Sequence, residues 1–158
     1  TPLLGNVTRL ESINLINYFV MDDANPGINL MLKRIQAFTD QYCNHSELGY
    51  FAIELMHSHS KWLDIMKQIQ GRVRKHPDES DASSNDFLKL CGYTVLAYYW
   101  ARMAAFAVER IHTKGDSDGY FRKKIDTARF YFTRILPRTE YHLIGLKFSA
   151  ESLQGLTV

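Results

Sequence analysis

The sequence predicts an all-α protein: an up-down helical bundle of about four long helices with a short helix in front of them. Apolar residues recur at about 3.6-residue spacing over long stretches, and the four prolines and nine glycines fall mostly between those stretches. Residues suited to capping stand at the breaks. With 158 residues, 46% hydrophobic and 23% charged, the chain reads as one domain over 1–158 with ample material for a core.

A short helix over about 7–21 ends in "MDDANPG", where Asn25 is the expected N-cap and Pro26 the first-turn residue of the next helix. The bundle itself runs over about 26–155. Its helix over 26–42 carries the stripe Ile28, Met31, Leu32, Ile35, Phe38 and Tyr42. Ser46 with Glu47 opens the next, whose stripe of Leu48, Phe51, Leu55, Trp62, Ile65, Ile69 and Val73 persists until "KHPDESDASSND". That acidic, serine-rich stretch is expected to be a loop, with Ser84 or Asn85 capping a third helix. From Phe87 to Val108 the third helix is apolar on nearly every side, so it is expected to be the buried one. Within it Leu90, Thr94, Ala97, Ala101, Ala104 and Val108 form a seam of mostly small residues that admits a neighbouring backbone closely.

Asp116 or Ser117 is the expected cap of the last helix, which carries Phe121, Ile125, Ala128, Phe132 and Ile135 on one face. Pro137 could begin a new helix only with Leu136 as its N-cap, a poor residue for that role. Thr139, His142 or Leu143, and Leu146 instead keep the same apolar phase. One helix from about 117 to 147 is therefore expected, kinked at Pro137, which cannot donate to the carbonyl of Thr133. Ser149 is expected to cap a final turn, "SAESLQGL".

Several function classes are disfavoured. No apolar run is long enough to span a membrane and no signal peptide is visible, so a cytoplasmic protein is expected. A net charge of +2 is too small to argue for nucleic acid, and "RVRKH" at 72–76 ends a helix, where cations offset exposed carbonyls. Cys43 and Cys91 have no second pair for a zinc site and are read as free thiols.

The sharpest chemical signal is a repeated Glu-x-x-His, Glu54 with His57 and Glu109 with His112, the pair that di-iron four-helix bundles place on two helices. The helix over 26–42 supplies no glutamate, however. An antiparallel register about residue 78 also displaces Glu109 from Glu54 by about six residues, roughly 9 Å. Metals ~4 Å apart do not bridge that gap, and no metal is expected. His57 and His59 cannot share a helix face and carry little weight. Arg102 interrupts the most buried helix and is expected to pair with Asp126 or Glu54. "RKK" at 122–124 could meet a phosphate but reads better as a solvated face. No glycine-rich phosphate loop, nucleophile elbow or cysteine–histidine pair is present. No catalytic, cofactor-binding or metal residue is assigned.

At "FLKLCGYTVLAYYWARMAAFA", "YFRKKIDTARFYFTRILPRT" and "SAESLQGL" the sequence resembles the C-terminal extension of a subgroup of acyl-CoA dehydrogenases. The likeness is firm over 85–155 and general over 26–73. It implies a helical accessory domain, a C-terminal piece of a longer flavoenzyme whose core holds FAD and oxidises an acyl-CoA to the 2,3-enoyl-CoA. The family's catalytic glutamate lies in a Tyr-Glu-Gly-Thr segment that this chain lacks. The implied role is thus structural or in assembly, without FAD or chemistry in this chain. The implied partners are the core domains of the parent enzyme, acyl-CoA through that parent, and a homo-oligomer. A free-standing helical module that binds a protein or lipid is the alternative.

Overall fold

The computed structural model describes Asn14, residues 16–21 and residues 26–148. A π-helical turn, Ile16–Val20, precedes α1 (Pro26–Tyr42), α2 (Gly49–Val73), α3 (Glu79–Lys114) and α4 (Tyr120–Phe130). A π segment (Tyr131–Ile135), a 3-10 turn (Leu136–Arg138) and α5 (Thr139–Lys147) follow α4 without a break. The protein is all-α, with no strand among the described residues. The expected caps Asn25 and Ser149, and most of the helix expected over 7–21, lie outside the described residues.

Pro137 acts as its chemistry dictates. Without an amide hydrogen it cannot continue the α ladder, and the chain adapts ahead of it by widening. The Leu136 N–H donates to the carbonyl of Tyr131, five residues back. The Thr133 hydroxyl donates to the carbonyls of Arg129 and Phe130 at 2.9 and 3.2 Å, drawing acceptors out of the ladder just before the bend. The apolar phase survives the bend, as expected: Thr139, Leu143 and Leu146 are all buried.

α3 starts earlier than the sequence suggested. The stretch expected as a loop is mostly helix, beginning at Glu79, so neither Ser84 nor Asn85 is a cap. Glu79 and Asp81 place negative charge in the first turn, where the helix dipole favours it. The serine hydroxyls that would otherwise compete for backbone are engaged: Ser84 donates to the Asp81 carbonyl at 2.9 Å and Ser80 to Asn17 Oδ1 at 3.0 Å.

Smaller differences mark the other helix starts. His45, not Ser46, serves α2: its Nδ1 accepts the N–H groups of Glu47 and Leu48 at 3.2 and 3.3 Å. α4 begins at Tyr120, behind a turn in which Gly115 and Gly119 take φ of 76° and 70°, values that favour glycine. Asp116 still satisfies that helix end, accepting the N–H groups of Phe121 and Arg122 at 3.0 and 2.7 Å.

The chain divides into two compact units. The first comprises Thr1–Leu30, Lys61–Gly92 and Thr139–Val158. Its buried residues include Trp62, Ile65, Ile69, Phe87, Leu90 and Leu146. Polar links knit it: Arg72 Nη2 donates to the Leu146 carbonyl at 2.5 Å, Arg72 Nε lies 3.4 Å from Glu79 Oε2, and His142 Nδ1 lies 2.8 Å from Asp86 Oδ1. An added methyl on Gly145 would overlap the Asp86 carboxylate and push it off its contact with His142.

The second unit comprises Met31–Ser60 and Tyr93–Arg138. Ile35, Phe38, Phe51, Leu55, Ile125 and Phe132 are buried in it. The seam on α3 is borne out: Thr94, Ala97, Ala101 and Ala104 are wholly buried here and Val108 nearly so, while Leu90 of the same seam is buried in the first unit. Thr39, also buried, donates to its own helix at Ile35 and lies 3.4 Å from the Ala52 carbonyl of α2, tying α1 to α2.

Candidate functional site

Within the second unit, α1, the 43–48 connection and α3 enclose an open groove of about 780 Å³. Its floor is aromatic. Phe38 stacks on Tyr42 at 4.7 Å and meets Tyr98 edge-on at 6.3 Å, while Tyr42 meets His45 at 5.9 Å. Arg34, Arg102, His45 and His112 supply cationic and imidazole groups along its walls, and Glu109 supplies a carboxylate. His45 is held in one tautomer, because its Nδ1 accepts backbone hydrogens and its Nε2 must therefore carry the proton. His112 Nε2 lies 3.0 Å from Glu47 Oε2, a contact half open to solvent. Such a lining can hold a polar or anionic group against aromatic rings.

The structure distributes the sequence-derived candidates differently. Glu109 and His112 line the groove, but His112 pairs with Glu47 rather than with the other Glu-x-x-His. Glu54 is half-buried and His57 exposed, one turn apart on α2. No group of three or more potential metal ligands occurs among the described residues. Arg102 is not a buried ion pair: it is exposed, with its guanidinium 5.9 Å over the ring of Tyr98, and Asp126 is exposed on α4. Arg122 and Lys123 are solvated, and Lys124 lies 5.2 Å over the Tyr120 ring.

Burial accounts for the shifted titrations. It pushes the Tyr131 phenol up to about 12, with Tyr93 adding to the effect, and this hydroxyl donates to the Tyr93 carbonyl at 3.0 Å. Tyr50 is raised by burial and by Glu54, against an opposing pull from Arg129. His59 is lowered by burial. It binds its proton less well folded than unfolded, so its contribution to stability is full above the ordinary histidine range and falls as pH drops through it.

The Cys91 thiol is raised by burial, whereas Cys43 is partly open. A disulfide reagent at about pH 8 is expected to titrate Cys43 in the native chain and Cys91 only after denaturation. Equal native rates at both thiols would contradict the burial of Cys91.

Sequence reasoning missed the exposed side of α3. Leu96, Tyr99, Met103 and Phe106 are open to solvent by 51, 46, 39 and 50%, on the helix expected to be buried throughout. A signal existed: these four alternate at intervals of three and four, a second apolar stripe beside the alanine seam. Periodicity reveals a stripe, not what covers it.

No curated protein matches the chain. A family model described as acetyl-CoA dehydrogenase C-terminal like matches residues 31–157. The match covers most of the chain and bears out the resemblance to C-terminal accessory domains of acyl-CoA dehydrogenases. The chain belongs to the acetyl-CoA dehydrogenase C-terminal-like family.

Proposed function

We propose that this chain is the non-catalytic, structural or assembly domain of a cytoplasmic, FAD-dependent acyl-CoA dehydrogenase that oxidises an acyl-CoA to the 2,3-enoyl-CoA. The family match over 31–157 carries the reading. On this reading FAD and the base that removes the α-proton belong to the core of the parent. The groove on α1 and α3 does not fit a flavin. The N–H groups of Glu47 and Leu48 at the start of α2, which could hold a pyrophosphate, are already taken by His45. Among the described residues the buried carboxylate, Glu79, faces Arg72, an ion pair that makes it a structural partner rather than a base. No described helix is long and apolar enough to cross a membrane.

The 158-residue chain is expected to be colourless and to reduce no dye acceptor with any acyl-CoA, while a longer parent polypeptide that includes the core is yellow and active. A flavin absorbance scan with a dye-reduction assay on both decides the matter. Bound flavin or turnover in the short chain overturns the non-catalytic role, and a parent with neither overturns the acyl-CoA dehydrogenase reading. The exposed stripe of α3 favours a second reading, a module that binds a partner protein in its own right.

A further inference from the structure

We infer that the groove between α3 and α4 in the second unit is a docking site for an acidic amphipathic helix, one whose apolar stripe is flanked by carboxylates. Leu96, Tyr99, Met103 and Phe106 have the alternating spacing that seats the stripe of a second helix. Tyr120 of α4, 54% exposed, forms the opposite wall. Phe106 and Phe121 meet edge to face at 6.3 Å, so the two helices bound a trough of about 430 Å³ rather than a flat patch. From Tyr99 to Phe106 the apolar wall of the trough runs for about 10 Å, close to two turns of a partner helix, and Leu96 extends the stripe beyond it.

Charge selects the occupant. Arg102 and Lys124 line the trough, and no aspartate or glutamate does. Lys124 rests over the Tyr120 ring at 5.2 Å and Arg102 over Tyr98 at 5.9 Å, and neither pairs with a carboxylate among the described residues. The Tyr120 ring thus holds Lys124 beside the apolar walls, and Arg102, which borders both this trough and the groove on α1, supplies the second cation that the flanks of a seated helix would meet. A second copy of this chain is a poor occupant, because a two-fold pairing of this face sets the same cations against each other. An anionic membrane would meet the cations, but the helical spacing and paired walls match a helix. The site goes beyond the proposed assembly role, since it does not depend on which polypeptide carries the acidic helix.

The test is fluorescence anisotropy with the 158-residue chain and two synthetic amphipathic helices of about four turns, alike in their leucine stripe and flanked by glutamate in one and lysine in the other. The glutamate helix is expected to bind at least about tenfold tighter. Arg102→Glu with Lys124→Glu should reverse that order, and Phe106→Ser should remove binding of both while the helical circular dichroism stays unchanged. Equal affinities, no binding, or a preference unmoved by the charge reversal overturns the inference. So does a dimer in sedimentation that Phe106→Ser abolishes, or capture by phosphatidylserine vesicles in preference to the glutamate helix.

Discussion

Phe132→Ala is expected to destabilise the chain by about 3 to 5 kcal/mol, the cost of a large cavity in a core that relaxes only partly. Phe132 is 2% exposed, and its ring lies 5.0 Å from that of Phe51 and 6.2 Å from that of Tyr50. It sits in the π segment ahead of Pro137, so the same residue fills the second unit's core and holds the widened turn against α2. Denaturant melts measure the loss, and a midpoint shift worth less than about 1 kcal/mol would mean that the site collapses around alanine or that the ring is not packed as described. Phe51→Ala with Phe132→Ala should cost less than the two single changes summed, by about 0.5 to 1.5 kcal/mol, because the edge-to-face pair is lost in either one.

Arg72→Ala is expected to cost about 3 kcal/mol. The guanidinium serves two groups at once, the Glu79 carboxylate at 3.4 Å and the Leu146 carbonyl at 2.5 Å. Glu79 has a side chain only 3% exposed, so removing its cation leaves a charge that water reaches poorly. Adding Glu79→Gln to Arg72→Ala should recover part of the loss, since the amide carries no charge to strand. If the double variant is no more stable than Arg72→Ala alone in the same melts, the stranded carboxylate is not the source of the penalty, and the bond to Leu146 carries it.

Local chemistry made much of the fold legible. The periods of the stripes, the glycine turn after α3 and the proline within the last helix each depend on residues a few positions apart, and each reads correctly from the chain. The late start assigned to α3 failed for a different reason. Glu79, Ser80 and Ser84 have the composition of a loop, but Ser80 is engaged by a residue distant in sequence, Asn17, and Glu79 meets Arg72 across the turn between α2 and α3. The candidate site was less legible still. His112 reads as half of a Glu-x-x-His, yet its partner is Glu47, far along the chain, and Arg102 reads as buried until the exposed stripe around it is seen.

By itself, then, the sequence determined that this protein is helical, where its helix-breaking residues lie, and that Ala97, Ala101 and Ala104 form a seam. Each of these is a property of spacing or residue type within a few turns. Only the tertiary structure decided which of the two stripes of α3 is covered: the alanine seam is buried, while Leu96, Tyr99, Met103 and Phe106 are left to solvent beside two cations resting on rings. The physical reason is that both stripes satisfy the helical period equally well, and burial is set by which of them finds a neighbour. The small side chains of the seam admit one closely, whereas the bulky stripe remains open.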